Sequence, residues 1–528
     1  MKSFSEKIHL NIDPPTEENA SGDRERILQA LESLGYGSVR ISLPALRQIY
    51  PLCRHCEWDF TVTLIHEGER NLITCIEPGD TTGQHYGLAV DYGSTTIVMQ
   101  LINVNTGEIC SEAKAMNGQI KFGDDILTRI IHGKDNPAGL AELTQATLET
   151  FSGLIHELTE KTGIPASKCP MMIISGNTTM IHFLLGLDPW TVFSSPYEPV
   201  ALDPGYFSGS ELGLDFSGMV YIVPAIANYL GGDITSGLLT TDFYKKDGLS
   251  VFFDIGTNGE MVMGNQDFLI AGAGAAGPAL EGGIRKYGMR ATDGAIDSVQ
   301  ISGPLLTYTT INDKKPVGIC GSGIIDLIAQ MRLNGWINVS GILDPDASDR
   351  IIFLPQEEEY VAVYATGKES ATGEDLYFSQ TDITQYLDTK AAAHTMVDCL
   401  LESAGVSADD LTGFYTAGAF GTYANLESAI TVGIFPDLPR DRFHCLQNSS
   451  LAGARQLLLN RDRMEDILYF QQTVYCVQFA SMPDFLIKMQ ASKFIPHTDM
   501  NLYPTVAEKL EQQLAKSKSI NPKTEKAK

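Results

Sequence analysis

The stretch Gly87-Leu-Ala-Val-Asp91-Tyr-Gly93-Ser94-Thr95-Thr96 is an apolar run that ends in a carboxylate and a glycine turn. The run predicts a strand, and Gly93 lets the backbone after it come close to an anion. The amides and hydroxyls of residues 94–96 can then donate to phosphate oxygens, and Asp91 can hold a hydrated Mg²⁺ ion. The same pattern also fits an ordinary hairpin corner, in which the Asp side chain bonds its own backbone.

A second copy of the pattern favours the phosphate-binding interpretation. Residues 251–260 read Val-Phe-Phe-Asp254-Ile-Gly256-Thr257-Asn258-Gly259-Glu260, again a strand that runs into a carboxylate and a glycine turn. A further turn and strand follow each copy, so each predicts the start of a three-stranded meander. A duplicated meander with a phosphate loop at its first corner predicts two like domains that close on one nucleotide.

Polar residues also follow the buried strand predicted at residues 171–174. This strand runs into Ser175-Gly176-Asn177-Thr178-Thr179, which opens a helix predicted at 180–185. In open α/β sheets ligands bind beyond the carboxyl ends of the strands, so Asn177 and Thr178 are placed to face the same cleft as Asp91. An ordinary helix N-cap explains the same residues equally well.

Three glycine-rich stretches follow the second meander. Residues 271–283 suit close approach to a ligand, a hinge or a flexible loop, and residues 318–323 open a helix whose N-terminus could bind an anion or pack tightly. The third stretch, Ala417-Gly418-Ala419-Phe420-Gly421, follows a strand predicted at 414–416. We predict a loop there on which an adenine or ribose ring can lie.

Composition excludes several classes of function. The 528 residues carry a formal net charge of −27, which argues against binding to nucleic acid or to an anionic membrane surface. The polar first residues do not resemble a signal peptide and no run of about 18 apolar residues occurs, so we expect a cytoplasmic protein. Nine cysteines, an odd number, fit reduced thiols better than a disulfide framework. Cys53 and Cys56 form a single C-x-x-C pair, which alone cannot complete a four-cysteine zinc or iron–sulfur site.

The sequence divides into four predicted parts. Residues 1–85 predict a small α+β module, with an interaction or dimerisation surface as its default role. Residues 86–245 and 246–497 predict two ATPase-like subdomains, the second of which contains the glycine loop. Residues 498–528 predict a polar tail with a helix over 504–515 and a disordered remainder.

Together these motifs resemble those of the acetate and sugar kinase, heat-shock chaperone and actin (ASKHA) superfamily. Within it the sequence is most similar to the reductive activators of corrinoid enzymes. The motifs that carry the resemblance are Asp91–Thr96, Met116–Asp125, Gly176–Thr179, Asp254–Glu260, Gly277–Gly283, Gly288–Arg290, Gly318–Gly323 and Ala417–Gly421. The resemblance implies an α/β fold of duplicated ribonuclease H-like domains of the actin and sugar-kinase type, preceded by a small α+β module.

The resemblance also implies an ATP-hydrolysing enzyme that returns the corrinoid protein of a methyltransferase system from Co(II) to Co(I). ATP and Mg²⁺ are then the cofactors, and Asp91 and Asp254 are the catalytic residues that order the metal through water. The residues predicted to bind the nucleotide are Gly93, Ser94, Thr95, Thr96, Asn177, Thr178, Gly256, Thr257, Asn258, Gly259, Gly418, Ala419 and Gly421.

One feature departs from that family. Its members usually begin with a plant-type [2Fe–2S] domain that carries four cysteines, whereas this sequence starts at what resembles the family's middle domain. We therefore expect that this chain holds no iron–sulfur cluster. Either a separate low-potential donor supplies the electrons, or the protein has another task. Besides the corrinoid protein, a second copy of the chain is a candidate partner. Two alternatives stay open: a kinase for a small metabolite, and a nucleotide-gated interaction protein without catalysis.

Overall fold

The computed structural model describes residues 2–68, 70–256, 258–274, 278–303 and 305–520. The chain folds into two compact units. Unit 1 combines the residues up to Thr240 with Ser449–Thr473, and unit 2 combines Thr241–Asn448 with the residues from Val474 onward.

Unit 1 begins with an α+β module of four strands and two helices. In chain order these are β1 (Ser5–Asn11), α1 (Asp23–Ser33), β2 (Val39–Ile41), α2 (Leu43–His55), β3 (Asp59–Glu67) and β4 (Arg70–Pro78). The sheet has the order β1-β3-β4-β2, and both helices contribute to its apolar core. Helix α2 runs beyond the predicted 44–49, because Ala45, Ile49 and Cys53 continue one buried stripe at a spacing of four residues.

The rest of unit 1 before residue 240 is built on a six-stranded sheet. Its elements are β5 (Tyr86–Tyr92), β6 (Thr96–Asn103), β7 (Ile109–Met116), α3 (Ile126–Asp135), α4 (Gly139–Thr162), β8 (Met171–Gly176), α5 (Thr178–Leu185), α6 (Trp190–Phe193), β9 (Gly205–Ser208), β10 (Met219–Ile222) and α7 (Gly232–Leu239). The strand order is β7-β6-β5-β8-β10-β9. Strands β5, β6 and β7 form the predicted antiparallel meander, which confirms that prediction. Strands β5 and β8 run parallel, so that Asp91 and Ser175 lie side by side near their carboxyl ends.

Unit 2 repeats this scheme with insertions. Its elements up to residue 448 are β11 (Ser250–Ile255), β12 (Gly259–Gly264), β13 (Leu269–Gly274), β14 (Ala295–Ser302), β15 (Leu305–Thr310), β16 (Gly318–Ile319), α8 (Gly321–Leu333), β17 (Ile351–Leu354), β18 (Glu359–Ala365), β19 (Leu376–Ser379), α9 (Gln380–Ser403), β20 (Gly413–Ala417), α10 (Gly418–Tyr423), α11 (Leu426–Val432) and β21 (Phe443–Cys445). The insertions form two three-stranded sheets, β15-β14-β16 and β17-β18-β19.

The last elements belong to both units. Helices α12 (Ser449–Leu459) and α13 (Met464–Thr473) lie in unit 1, while β22 (Val474–Cys476), α14 (Phe485–Ala491) and α15 (Pro504–Ile520) lie in unit 2. The sequence-based boundaries place 449–473 in the second subdomain instead. The physical reason for the difference is close helix packing, because a Cβ on Gly453 of α12 would lie 1.9 Å from the Ser236 carbonyl oxygen of α7.

The main sheet of unit 2 has the order β21-β20-β11-β12-β13-β22. Strands β11, β12 and β13 form the second predicted meander, so this prediction is also confirmed. Strand β20 runs parallel to β11 and brings Ala417 beside Asp254. Helices α8 and α9 contribute Ile324, Ile328 and Met396 to the apolar core that includes this sheet.

Two local predictions need correction. The residues predicted as a glycine loop, 418–421, form the start of the short helix α10. The C-terminal helix α15 extends to Ile520 rather than to residue 515, because the Lys residues that follow Ala515 are good helix formers. The remainder of the predicted tail, 521–528, lies outside the described residues.

Candidate functional site

Asp91 stands at the carboxyl end of β5, beside Ser175 of the neighbouring strand β8. The Ser450 hydroxyl of α12 donates to Asp91 Oδ1 at 2.8 Å and lies 2.9 Å from the Ser175 hydroxyl, which in turn lies 3.0 Å from the Gly232 carbonyl oxygen. Two hydroxyl protons cannot fill three contacts at once. The bond to the ionised carboxylate is the strongest of the three, so we assign the Ser450 proton to Asp91.

A second carboxylate, Asp233, lies near Asp91 in the first turn of α7. Burial and, to a smaller extent, the negative charge of Asp91 raise the pKa of Asp233 to about 7. The residue before α7 is Gly231, where a Cβ would lie 2.5 Å from the Asn177 Cα and 2.7 Å from Asp233 Oδ1. Only glycine fits this close approach, which places Asp233 next to the start of α5.

Asn177 and Thr178 lie at the start of α5, as predicted. The Asn177 side chain accepts a hydrogen bond from the Met180 amide at 2.9 Å, which confirms the helix-cap interpretation. The Thr178 hydroxyl oxygen is buried and has no hydrogen-bond partner among the described residues. An unpaired buried hydroxyl is costly, and this one therefore fits a place for a polar ligand. A role of both residues in nucleotide binding stays a prediction.

The turn after Asp91 is as tight as the sequence predicts. A Cβ on Gly93 would lie 2.4 Å from the Thr96 carbonyl oxygen, so no other residue fits there without a shift of the backbone. Within the described part of the chain, the amides of Ser94 and Thr95 make no hydrogen bond. Two unpaired amides beside a carboxylate fit the phosphates and the metal ion of a bound nucleotide.

In unit 2 the structure brings Asp254 and Gly418 together. Gly418 has a φ of +80°, and a Cβ there would lie 2.4 Å from the Ile255 carbonyl oxygen and 2.7 Å from Asp254 Oδ1. Both the left-handed backbone and the close approach require glycine. Across the β11–β12 hairpin, Glu260 is the register partner of Asp254, so the two acidic side chains share one face of the sheet.

The other predicted residues of unit 2 lie nearby in sequence. The Gly256 amide donates to the Asn258 carbonyl at 2.9 Å and so closes the turn after Asp254, with Gly259 starting β12. Thr257 lies outside the described residues. Gly421 lies within α10, and its carbonyl accepts a bond from the Thr416 hydroxyl at 3.4 Å. The nucleotide-binding roles of Ala419 and of the other residues in this paragraph stay predictions.

Sequence reasoning missed Asp233 and Ser450. The signal for Asp233 was its Gly231-Gly232-Asp233 context, which repeats the combination of glycine and acid soon after the strand β10. Ser450 lies in the first turn of α12, 359 residues from Asp91, and no local pattern marks it as a partner of that carboxylate.

The glycine-rich stretch at 318–323 favours tight packing over anion binding. A Cβ on Gly318 would lie 2.5 Å from the Tyr287 carbonyl oxygen, and one on Gly323 would lie 2.3 Å from that of Ile296. The Ile319 amide donates to Tyr287, and the Met289 amide donates to Ile319. These contacts join 318–323 to the stretch at 288–290. Gly277, from the remaining glycine-rich motif, lies outside the described residues.

In the part of the chain that the structure describes, neither the cysteine pair nor the histidine cluster presents a ready set of metal ligands. Cys53 is fully buried in the first module, and burial raises the pKa of its thiol to about 12, which disfavours the thiolate that metals bind. Among the described residues, one group of metal-ligating side chains occurs, namely His394, Asp398 and His497. The Nδ1 atom of His497 already accepts the Asp499 amide at 3.0 Å, so the neutral ring carries its proton on Nε2 and has no lone pair left for an ion.

We found no helix among the described residues with the length and apolarity needed to cross a membrane.

Three sequence profiles match the chain in succession. They describe the RACo linker region at residues 1–83, the RACo middle region at 86–246 and the C-terminal domain of RACo, the ASKHA domain, at 248–507. This chain is a member of the RACo family. In the family's terms, the first module is the linker region rather than the middle-type module predicted, and the middle region is the segment predicted as the first ATPase-like subdomain.

Two relatives of this chain support its assignment to the RACo family. The corrinoid activation enzyme RamQ of Eubacterium limosum is 30% identical over 410 residues, which cover 76% of this chain and 69% of RamQ. The [Co(II) methylated amine-specific corrinoid protein] reductase of Methanosarcina barkeri is 24% identical over 419 residues, which cover 72% of each chain.

A solved structure supports the fold. The reductive activator for corrinoid, iron–sulfur protein superposes with a TM-score of 0.86 at 34% identity, covering 96% of this chain and 81% of that protein. These matches confirm the family resemblance found in the sequence and the duplicated ASKHA-type α/β fold. They also confirm the prediction that the protein is an ATP-using activator enzyme. The ASKHA domain also supports nucleotide binding in this chain.

Proposed function

We propose that this protein uses ATP to return the cobalt of a corrinoid protein from Co(II) to Co(I). The observation that carries the proposal is membership of the RACo family, in which a corrinoid activation enzyme and a Co(II) corrinoid protein reductase match most of the chain. One electron from a separate low-potential donor enters the cobalt, and ATP and water become ADP and phosphate in a coupled step.

The free energy needed to raise the reduction potential of the corrinoid can be calculated. Each ~59 mV by which the activator must raise a one-electron potential requires it to prefer the reduced state about tenfold, which is roughly 1.4 kcal/mol. ATP hydrolysis supplies the free energy that resets this preference after each electron transfer. The corrinoid protein is therefore a protein partner of the activator, and the electron donor is a second one.

Asp91 and Asp254 are the proposed catalytic residues, each at the start of a glycine turn. Their carboxylates would hold Mg²⁺ through water, and the ion, when bound, neutralises charge on the phosphates. The turns at 93–96 and 256–259 would bind phosphate, with Asn177 and Thr178 beside the first, and Gly418, Ala419 and Gly421 would face the adenosine.

Asp233 adds a group that can move a proton. Because its pKa is raised to about 7, its carboxylate can accept a proton from water near neutral pH. Two neighbouring carboxylates in different environments can take different roles in one active site. We propose that Asp233 serves as the general base for the water that attacks ATP.

Two further expectations belong to the same proposal. Nine free cysteines fit a reducing compartment such as the cytoplasm. A homodimer is supported by α2, which exposes Leu43, Leu46 and Tyr50 at helical spacing on one face, with Tyr50 68% exposed. Light scattering on the wild type and on Leu46→Glu measures whether that face holds two copies together.

The test uses the full chain with a methyltransferase corrinoid protein in the Co(II) state, Mg²⁺, ATP and a low-potential electron donor. We expect the Co(I) absorption spectrum to appear when all components are present and not when ATP is omitted. Failure across a panel of corrinoid proteins would overturn the proposal. ATP consumption that depends on a sugar or carboxylate alone would identify a kinase, and ATP binding without hydrolysis would identify a nucleotide-gated interaction protein.

A further inference from the structure

Three consecutive carbonyl groups of the turn after Asp91 accept hydrogen bonds from two residues, Asn117 and Arg129. The Asn117 side-chain amide donates to the Gly93 carbonyl at 3.0 Å, and the Asn117 backbone amide donates to the Thr95 carbonyl at 2.9 Å. Between them, the Arg129 guanidinium donates to the Ser94 carbonyl at 2.7 Å. We call these two residues, Asn117 and Arg129, the brace.

The brace fixes the direction of the amides in the same peptide groups. In a trans peptide the C=O of one residue and the N–H of the next point in opposite directions. With the carbonyls of residues 93–95 turned to the brace, the amides of residues 94–96 point away from it. The Ser94 and Thr95 amides have no partner among the described residues, so they are available to an anion.

The brace is itself held in place. The Asn117 side-chain oxygen accepts the Gln119 amide at 3.0 Å, which leaves its NH₂ group directed at Gly93. Arg129 is fully buried, and its Nε donates to the Gly123 carbonyl at 2.9 Å. A buried guanidinium is costly without hydrogen bonds, and the bonds to the Gly123 and Ser94 carbonyls offset part of that cost and fix its position behind the turn.

The charge of Arg129 also acts on the turn. A cation at the carbonyl end of a peptide group favours the orientation in which the N–H end faces an anion. Because the site is removed from bulk water on the Arg129 side, this interaction is weakly screened. The brace therefore orders the turn before any ligand arrives, and a bound phosphate meets amides that need no rearrangement.

We propose that Asn117 and Arg129 are positioning residues that pre-organise the turn at 93–96 for the phosphates of a nucleotide. The inference rests on the proposed function, in which this turn binds phosphate. Neither residue touches the nucleotide; both act through the peptide groups of the turn. The brace therefore affects binding of the triphosphate and leaves recognition of the nucleoside unchanged.

The test compares Mg·ATP with adenosine, each measured by displacement of a fluorescent adenosine analogue from the full chain. Asn117→Asp keeps the size of the side chain and its bond from Gln119, but sets a carboxylate oxygen against the Gly93 carbonyl. We expect about tenfold weaker binding of Mg·ATP and an unchanged affinity for adenosine. Arg129→Lys keeps the positive charge but loses the planar guanidinium with its several N–H donors. We expect this second variant to show a smaller loss of Mg·ATP affinity.

Asn105→Asp is the matched control, because the Asn105 side chain donates to the Thr82 carbonyl at 2.8 Å, away from the turn. The inference is overturned if both brace variants bind Mg·ATP like this control, or lose ATP and adenosine affinity equally. A wild-type protein that binds Mg·ATP no better than adenosine would instead overturn phosphate binding by the site as a whole, so the two failures are distinguishable.

Discussion

The turns after Asp91 and Asp254 share one sequence pattern and differ in what surrounds them. Asp91 accepts a bond from Ser450, and a second acid, Asp233, reaches it from a distant part of unit 1. The second acid near Asp254 is Glu260, its register partner in the β11–β12 hairpin. Asp254 also lies so close to the Gly418 backbone that residue 418 has no room for a side chain. Side chains from distant parts of the chain surround the first carboxylate, whereas a side chain of the same hairpin and the backbone of the distant Gly418 surround the second.

A duplicated motif therefore does not imply duplicated chemistry. The first turn has an acid with a pKa raised to about 7, which can exchange a proton near neutral pH. The second has a helix, α10, that starts directly against the carboxylate. We infer that both turns serve the nucleotide and that the first, through Asp233, also supplies proton transfer.

The largest effect is expected from Asp91→Asn and Asp254→Asn, measured as ATP hydrolysis and as recovery of Co(I) in the corrinoid protein. Each change removes a negative charge from a proposed metal site and preserves the shape of the side chain. We expect the hydrolysis rate to fall about 10²–10³-fold in each variant, as when one stabilising group of an active site is removed.

Asp188→Asn, at an exposed position, makes the same change in net charge and controls for it. Circular dichroism checks that each variant is folded. If only one of the two site variants loses hydrolysis, the aspartate of the other turn has no catalytic role.

Asp233→Asn is expected to change stability in a pH-dependent way. Asp233 has its pKa raised from 3.8 to about 7 in the folded chain, so between about pH 4 and pH 7 the unfolded chain loses this proton first. The contribution of Asp233 to the free energy of unfolding therefore falls across that range and is level above it. Asn cannot ionise, and we expect the variant to exceed the wild type by about 2–4 kcal/mol at pH 8 and by almost nothing at pH 4.

Melting temperatures of both proteins from pH 4 to pH 8 provide the measurement. A difference that does not grow with pH would show that Asp233 is ionised at low pH in the folded chain. It would then be unsuitable as the general base, and the contrast between the two turns would disappear.

Gly418→Ala tests the tight approach at the second turn, with Gly405→Ala as its matched control in the same unit. Both glycines have a positive φ, but a Cβ on Gly405 would have nothing within 4 Å, whereas one on Gly418 would lie 2.4 Å from a carbonyl oxygen. We expect the control to cost about 1 kcal/mol, from left-handed backbone alone, and Gly418→Ala to cost about 2–3 kcal/mol.

Chemical denaturation of the two variants measures this difference. Equal costs would contradict the close contact between α10 and the end of β11, and with it the picture of a turn enclosed by backbone.

The smallest effect is expected from Ser450→Ala, compared with Ser449→Ala in the same helix turn. The Ser450 hydroxyl bonds to Asp91 at 2.8 Å, whereas the buried Ser449 hydroxyl has no partner among the described residues. We expect Ser450→Ala to lower the rate of ATP hydrolysis up to about tenfold, because a hydrogen bond to a charged group contributes about 1.5 kcal/mol or more. Ser449→Ala should leave the rate unchanged, and a similar loss in both variants would assign it to packing.

Much of the fold could be predicted because its signals are local. The strands β5 and β11 are mostly apolar, each has a carboxylate as its second-to-last residue and a glycine directly after it, and the pattern of residues 87–96 and 251–260 is therefore sufficient to find both meanders. The cap of α5 is a hydrogen bond between Asn177 and a residue three positions later, and such a local contact can also be predicted from the sequence.

The interpretation of 418–421 as a loop was wrong because glycine content alone does not distinguish a loop from a helix that starts on a left-handed glycine. The backbone of Gly418 turns sharply at the end of β20, and α10 begins there. Neighbouring residues of β11 determine this turn, and they lie about 160 residues earlier in the chain.

The two turns and their carboxylates, Asp91 and Asp254, can be found from the sequence, because a strand, an acid and a glycine in succession need only short-range geometry. The groups that surround the two carboxylates follow from the packing of the folded chain. Ser450 returns to Asp91 from 359 residues away, and Asp233 and Arg129 reach the first turn from separate helices. Such contacts depend on how sheets and helices pack, because hydrogen bonding and burial act through space and leave no periodic signal along the chain.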